Sequence, residues 1–139
     1  MVLTIIGTIA AIAQPRFMGY VMRYRHDLAA RRLTSDLEYA STLARVRSAP
    51  VKILFDKGEG LDESRYWFEN VEDPDKPGEP YTVVFRQEPY NVIIKEAPGD
   101  ITYDIDGLPT HSKTFVLGTN PDYQRTIEVD ENTGEITLN

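Results

Sequence analysis

The sequence predicts an α+β protein: one long N-terminal helix whose C-terminal half packs on an antiparallel β-sheet or sandwich head. Three observations carry this. Between Gly19 and Ala49 there is neither proline nor glycine, and apolar residues recur there on a 3.6-residue period. From Pro50 onward, short runs rich in Val, Ile, Tyr, Phe and Thr alternate with turn residues. The charge divides at the same boundary: residues 1–50 hold seven basic residues against three acidic, a net of +4, and residues 51–139 hold eight against nineteen, a net of −11.

The chain opens on an apolar run, MVLTIIGTIAAIA, in which only Thr4 and Thr8 are polar. A helical threonine returns its hydroxyl to a carbonyl one turn back, so both are tolerable in lipid. As a helix the run measures about 20 Å, short of the roughly 30 Å hydrocarbon core. Three explanations compete. The run is a buried core helix, or the apolar region of a secretory signal cleaved after Ala13, or a spanning segment whose first residues lie upstream of Met1. The small-x-small spacing of Ala11-Ile12-Ala13 suits signal cleavage, but no basic segment precedes it. The third explanation is preferred. It makes Val2, Leu3, Ile5, Ile6, Ile9 and Ile12 the residues that would meet lipid.

From Arg16 to Ser48 the pattern is helical. Phe17, Val21, Tyr24 and Leu28 form one stripe; Ala29, Leu33, Leu37, Ala40 and Ala44 continue on an adjacent one. Leu28, Leu33, Leu37, Ala40 and Ala44 are the expected helix-to-head contacts. Arg23, Arg31, Arg32, Asp36 and Glu38 lie largely off the stripes. Pro15 removes one helical hydrogen bond and should kink or loosen the helix. Pro50 ends it, because the residue before proline avoids the α region. The whole element would run about 70 Å, against about 25–30 Å for a head of that size. Such a helix is not covered by its own domain; its exposed half must meet lipid, other chains, or both.

Strands are expected at residues 51–55, 66–71, 81–86, 90–95, 101–105, 114–117, 125–129 and 135–138. Turns are expected at 58–60, 74–80, 98–100, 106–107, 118–122 and 132–134. The organisation is therefore an apolar helix half over 1–15, an amphipathic helix half over 16–49, and a β-rich head over 50–139.

Little in the sequence supports catalysis. There is no cysteine, which excludes thiol nucleophiles, iron–sulfur clusters and cysteine zinc sites. His26 and His111 are the only histidines. No G-x-S-x-G elbow, phosphate loop or dinucleotide fingerprint occurs. No cofactor or metal is expected. The acids of 104–107 and 130–135 read as turns, and the acidic 73–79 stretch as a solvated loop that calcium would order at most. A net charge of −7 disfavours nucleic acid as a partner.

At this point a resemblance enters. TIIGTIAAIAQPRF followed by DLEYASTLARVRSAPV is similar to the N-terminal helix of type IV pilin-like proteins. ITYDIDGLPT and RTIEVDENTGEITLN resemble the GspH/FimT class, the minor pseudopilins of type II secretion and related minor pilins. The resemblance covers nearly the whole chain. It implies a pilin-like fold and a structural, non-enzymatic role. Such a protein is an inner-membrane, single-pass prepilin with a periplasmic head, processed and methylated, then drawn into a short periplasmic pseudopilus. Its implied partners are other major and minor pseudopilins, the inner-membrane secretion platform, and membrane lipid before assembly. A minor pilin of a type IV or competence pilus is the alternative.

Two departures stand out. The basic leader and the glutamate before the apolar run do not precede Met1, so a misassigned start or a truncation is expected. Class members that bind DNA carry arginines just after the terminal turn glycine, whereas Gly134 is followed by Glu135-Ile136-Thr137. Positive-inside counting would put Arg16, Arg23 and Arg25 on the cytoplasmic side, opposite to the orientation the resemblance implies. The periplasmic head is preferred, because a β-rich head with its own core suits export and the flanking count is incomplete.

Overall fold

A computed structural model of the chain describes residues 2–58 and 64–139, with side chains from residue 17 onward. One helix, α1 (Val2–Arg47), runs through 46 residues, about 70 Å at 1.5 Å per residue. Pro15 lies within it. Ser48, with φ of 50°, turns the chain out of the helix just before Pro50.

Among the described residues eight strands follow: β1 (Val51–Asp56), β2 (Arg65–Asp73), β3 (Lys76–Val84), β4 (Ile94–Glu96), β5 (Asp100–Tyr103), β6 (Lys113–Leu117), β7 (Arg125–Val129) and β8 (Ile136–Leu138). They form two four-stranded sheets, ordered β3-β2-β1-β5 and β4-β6-β7-β8. Every pairing is antiparallel. Strand alternation sends Ile53, Tyr66, Phe68 and Ile101 inward, while Leu54 and Trp67 stand opposite each other on the outer face. Phe55 of β1 reaches Phe115 of β6 with ring centroids 4.8 Å apart, which joins the two sheets in one core.

The lower helix lies on both sheets, touching β1 and β5 of the first and β6, β7 and β8 of the second. Ala29, Ala30, Leu33, Leu37, Ala40 and Ala44 are all fully buried in that contact. Four of these six are alanines, so the helix axis sits close to the strands and the aromatic residues of the sheets fill the remaining space.

Several expectations need correction. Residues 76–80, read as loop, belong to β3. Pro77 and Pro80 are tolerated because β3 is an edge strand. The turn is confined to Pro74 and Asp75, and Asn70 adopts φ of 58° where the β2–β3 register shifts. The strand expected over 90–95 shrinks to β4. Tyr90 instead turns inward and packs edge-on against Phe85, with centroids 5.3 Å apart. Leu28 is only half-buried, and Ala29 and Ala30 take the position at the head. Asp36, expected off the packed face, is buried. The side chains of Val2, Leu3, Ile5, Ile6, Ile9, Ile12 and Pro15 lie outside the described residues, as does most of the expected 58–60 turn.

Candidate functional site

The helix is joined to the head at three levels. In the middle stands a polar node. Asp36 Oδ2 accepts from the Tyr66 hydroxyl at 2.5 Å and from Arg32 Nε at 3.1 Å. Its Oδ1 accepts from the Tyr81 hydroxyl at 3.0 Å, and Arg32 donates to that same hydroxyl oxygen at 2.5 Å. A buried carboxylate is costly unless paired and hydrogen-bonded, and here one cation and two hydroxyls meet it. Burial, and then the neighbouring Asp36 charge, push the Tyr66 hydroxyl well above its ordinary value. The same causes push the half-buried Tyr81 up to about 12. Burial opposes the charge of Arg32, but Asp36 outweighs it and leaves the guanidinium above its ordinary value.

Below the node, the Ser41 hydroxyl donates to the Gly107 carbonyl at 2.6 Å, and Arg45 donates to Ser41 Oγ at 3.0 Å. Gly107 has φ of 77°, and a Cβ there would overlap Arg45 and stand 2.9 Å from the Ser41 carbonyl oxygen. Above the node, His26 is buried with Nδ1 2.7 Å from the Met22 carbonyl. Its ring lies against Gly118, where a Cβ would overlap it. Tyr123, from the same β6–β7 loop, tilts against His26 at 6.4 Å and lies under the Arg23 guanidinium at 5.7 Å. Its hydroxyl reaches up to Gly19, which leaves 3.4 Å to the position of a Cβ. The head therefore grips the helix from Gly19 down to Arg45.

At the top of that grip several large side chains of the helix are exposed. Phe17, Tyr20 and Tyr24 are 68%, 71% and 67% exposed, and Met18 and Met22 are exposed as well. Phe17, Tyr20 and Tyr24 fall at i, i+3 and i+7, on one stripe. His26, Ala30, Leu33 and Leu37, which face the head, fall on the opposite side of the helix. Five of the eight large hydrophobic side chains exposed among the described residues thus lie within 17–24.

Most arginines of the helix are already engaged. Arg25 pairs with Glu88 at 3.1 Å, and Arg31 with Asp27 at 2.9 Å. Arg125 of the head comes within 3.8 Å of the same Asp27, and Arg47 donates to the Asn70 carbonyl at 3.4 Å. The acidic turns are engaged too. Asp104 Oδ1 accepts from the amides of Asp106 and Leu108, and Asp130 Oδ1 from those of Asn132 and Thr133. The Thr133 and Asn132 amides hold the Asp130 carboxyl below its ordinary value. These oxygens cap turns, which is the reading the sequence favours over calcium loops. Among the described residues no group of three or more His, Asp or Glu side chains is placed to hold a metal ion. His111 is exposed, 3.9 Å from Glu131. An open groove of about 360 Å³, mostly polar in its lining, lies over β6, β7 and β8, between Lys113, Glu128 and Glu135.

Among the described residues no helix is long and apolar enough to cross a membrane. The buried polar members of the grip, His26 and Asp36, are invisible to a hydrophobic-periodicity reading. Asp36 could have been found from its place between Leu33 and Leu37, with Arg32 one turn before it.

The family model described as type II transport protein GspH matches residues 29–133. Two crystal forms of the type IV minor pilin FimU from Pseudomonas aeruginosa share the fold. One aligns with a TM-score of 0.62 at 21% identity, covering 86% of this chain and 92% of that one. The other aligns with a TM-score of 0.57 at 20% identity, covering 81% and 91%. No curated protein matches the sequence.

Proposed function

Because the chain belongs to the GspH family, a match that spans most of its length, we propose that it is a minor pseudopilin of a type II secretion system. In this reading it assembles with other major and minor pseudopilins into a short periplasmic filament that drives protein export. The observation that carries it is the division of α1. The head holds the helix from Gly19 to Arg45, and the helix continues as far as Val2 beyond that grip. A helix half that extends past the head serves packing with other helices in a filament core, and contact with inner-membrane lipid before that. The secretion platform of the inner membrane is the remaining partner. The role is structural rather than enzymatic.

A second reading, a minor pilin of a type IV pilus, is favoured by the likeness to FimU. DNA contact within that reading has little electrostatic support, since Arg25, Arg31 and Arg47 are engaged within the chain. The test is deletion of the gene with complementation. Loss of export of a secreted enzyme, with pili intact, supports the first reading. Loss of pilus-dependent motility or DNA uptake, with export intact, replaces it with the second. No effect on either process refutes both.

A further inference from the structure

The exposed segment 17–25 differs in kind from a plain helix-packing face. It combines aromatic side chains with polar tips, Tyr20 and Tyr24, with Phe17 one turn deeper. Arg16 and Arg23 flank them in sequence, while Arg25 is paired with Glu88, and between Met1 and Asp27 there is no acid. On the head side of the same level, Tyr123 reaches Gly19 and lies under Arg23. Phe17, Tyr20, Arg23, Tyr24 and Tyr123 therefore cluster over about two turns of the helix, directly after its apolar run. Tyr20 and Tyr24 are one turn apart, a rise of about 6 Å. That matches the roughly 5–8 Å of one headgroup layer, taken as half the difference between the full bilayer and its hydrocarbon core.

We propose that this collar is a binding surface for the headgroup layer of an anionic phospholipid membrane, which fixes the depth of the unassembled subunit and rests the β6–β7 loop on the lipid surface. The inference deepens the anchored-subunit reading and depends on it. The alternative occupant, a neighbouring helix, is served better by small residues and aliphatic ridges. Tyrosines and arginines suit a zone that is apolar on one side and wet on the other. Charge selects the lipid: each arginine held near an anionic surface strengthens binding on the order of fivefold.

The experiment uses the full chain in phosphatidylcholine vesicles with and without phosphatidylglycerol. Trp67, the single tryptophan, is replaced in a W67F background, and Y20W or I6W supplies the probe. Lipids brominated near the headgroup end or near the chain terminus then report depth. The expected result is strongest quenching of Y20W by shallow bromines and of I6W by deep ones. Replacing Arg16 and Arg23 by glutamine should lower the preference for phosphatidylglycerol vesicles on the order of tenfold or more. If I6W is quenched deeply and Y20W is not quenched, or is quenched most by deep bromines, the collar is refuted while the anchored reading survives. The same holds if Y20W emission shifts only when the chain self-associates, which assigns the stripe to a neighbouring helix. If neither probe is quenched, the anchored reading itself fails.

Discussion

Replacing Asp36 by alanine strands the Tyr66 hydroxyl. That hydroxyl is fully buried and Asp36 is its acceptor at 2.5 Å. An unsatisfied buried donor costs about 1–3 kcal/mol. Loss of the Tyr81 bond at 3.0 Å adds about 1 kcal/mol, since Tyr81 is only half-buried. Arg32 is 39% exposed and can turn to water, so its pairing is discounted to about 0–1 kcal/mol. The expected total is about 3 kcal/mol, or a drop of about 12–24 °C in Tm for a head of this size. Urea unfolding of the full chain, followed by near-ultraviolet circular dichroism, measures it. The double variant Asp36→Leu with Tyr66→Phe removes both buried partners together, and should be more stable than Asp36→Ala by at least about 1 kcal/mol. A loss below about 0.5 kcal/mol for Asp36→Ala, or strict additivity in the Asp36–Tyr66 cycle, would refute the node as the central joint between helix and head.

Other outcomes follow from the same geometry. Tyr103 is buried and its hydroxyl has no hydrogen-bond partner among the described residues; Tyr103→Phe should therefore be neutral or stabilising, by about 0–1 kcal/mol in urea unfolding. The Tyr66 and Tyr103 hydroxyls are pushed above their ordinary value of 10.0 by burial, so their contribution is complete below pH 10 and is lost as pH rises beyond it. Phenolate absorbance should thus show exposed tyrosines ionising first and these two only as the chain unfolds. Gly118→Ala should cost about 1–3 kcal/mol, from its φ of 87° together with overlap on the His26 ring; adding His26→Ala should relieve the overlap but not the backbone strain, so thermal melts show partial recovery. Chelation by EDTA should leave Tm unchanged, because the Asp104 and Asp130 carboxylates cap their own turns.

What was legible in the sequence follows the physics of each element. A proline- and glycine-free stretch with a 3.6-residue period has few alternatives to a helix, and its fully buried stripe at Leu33, Leu37, Ala40 and Ala44 follows that period. Strand interiors such as 125–129 were equally plain. The 76–80 stretch was not, because proline signals a break unless an edge position is known, and edge positions are set by tertiary pairing. Residues 90–93 carry strand-forming side chains that serve the core from a turn instead. Leu28 and Ala29 exchanged places because the helix approaches the sheets through alanines, a matter of distance that periodicity does not encode. Asp36 and His26 were hidden for a further reason: burial of a polar residue depends on partners such as Tyr66, Tyr81 and Gly118, which are remote in sequence.

The central claim is that the lower helix belongs to the head and the upper helix to other subunits. The chain has no cysteine, so single-cysteine variants test this cleanly in cells that make the filament. Ile9→Cys should cross-link to other pilin-like subunits, whereas Ala30→Cys, fully buried beneath the head, should form no intersubunit link. Cross-links from Ala30→Cys, with none from Ile9→Cys, would contradict the account.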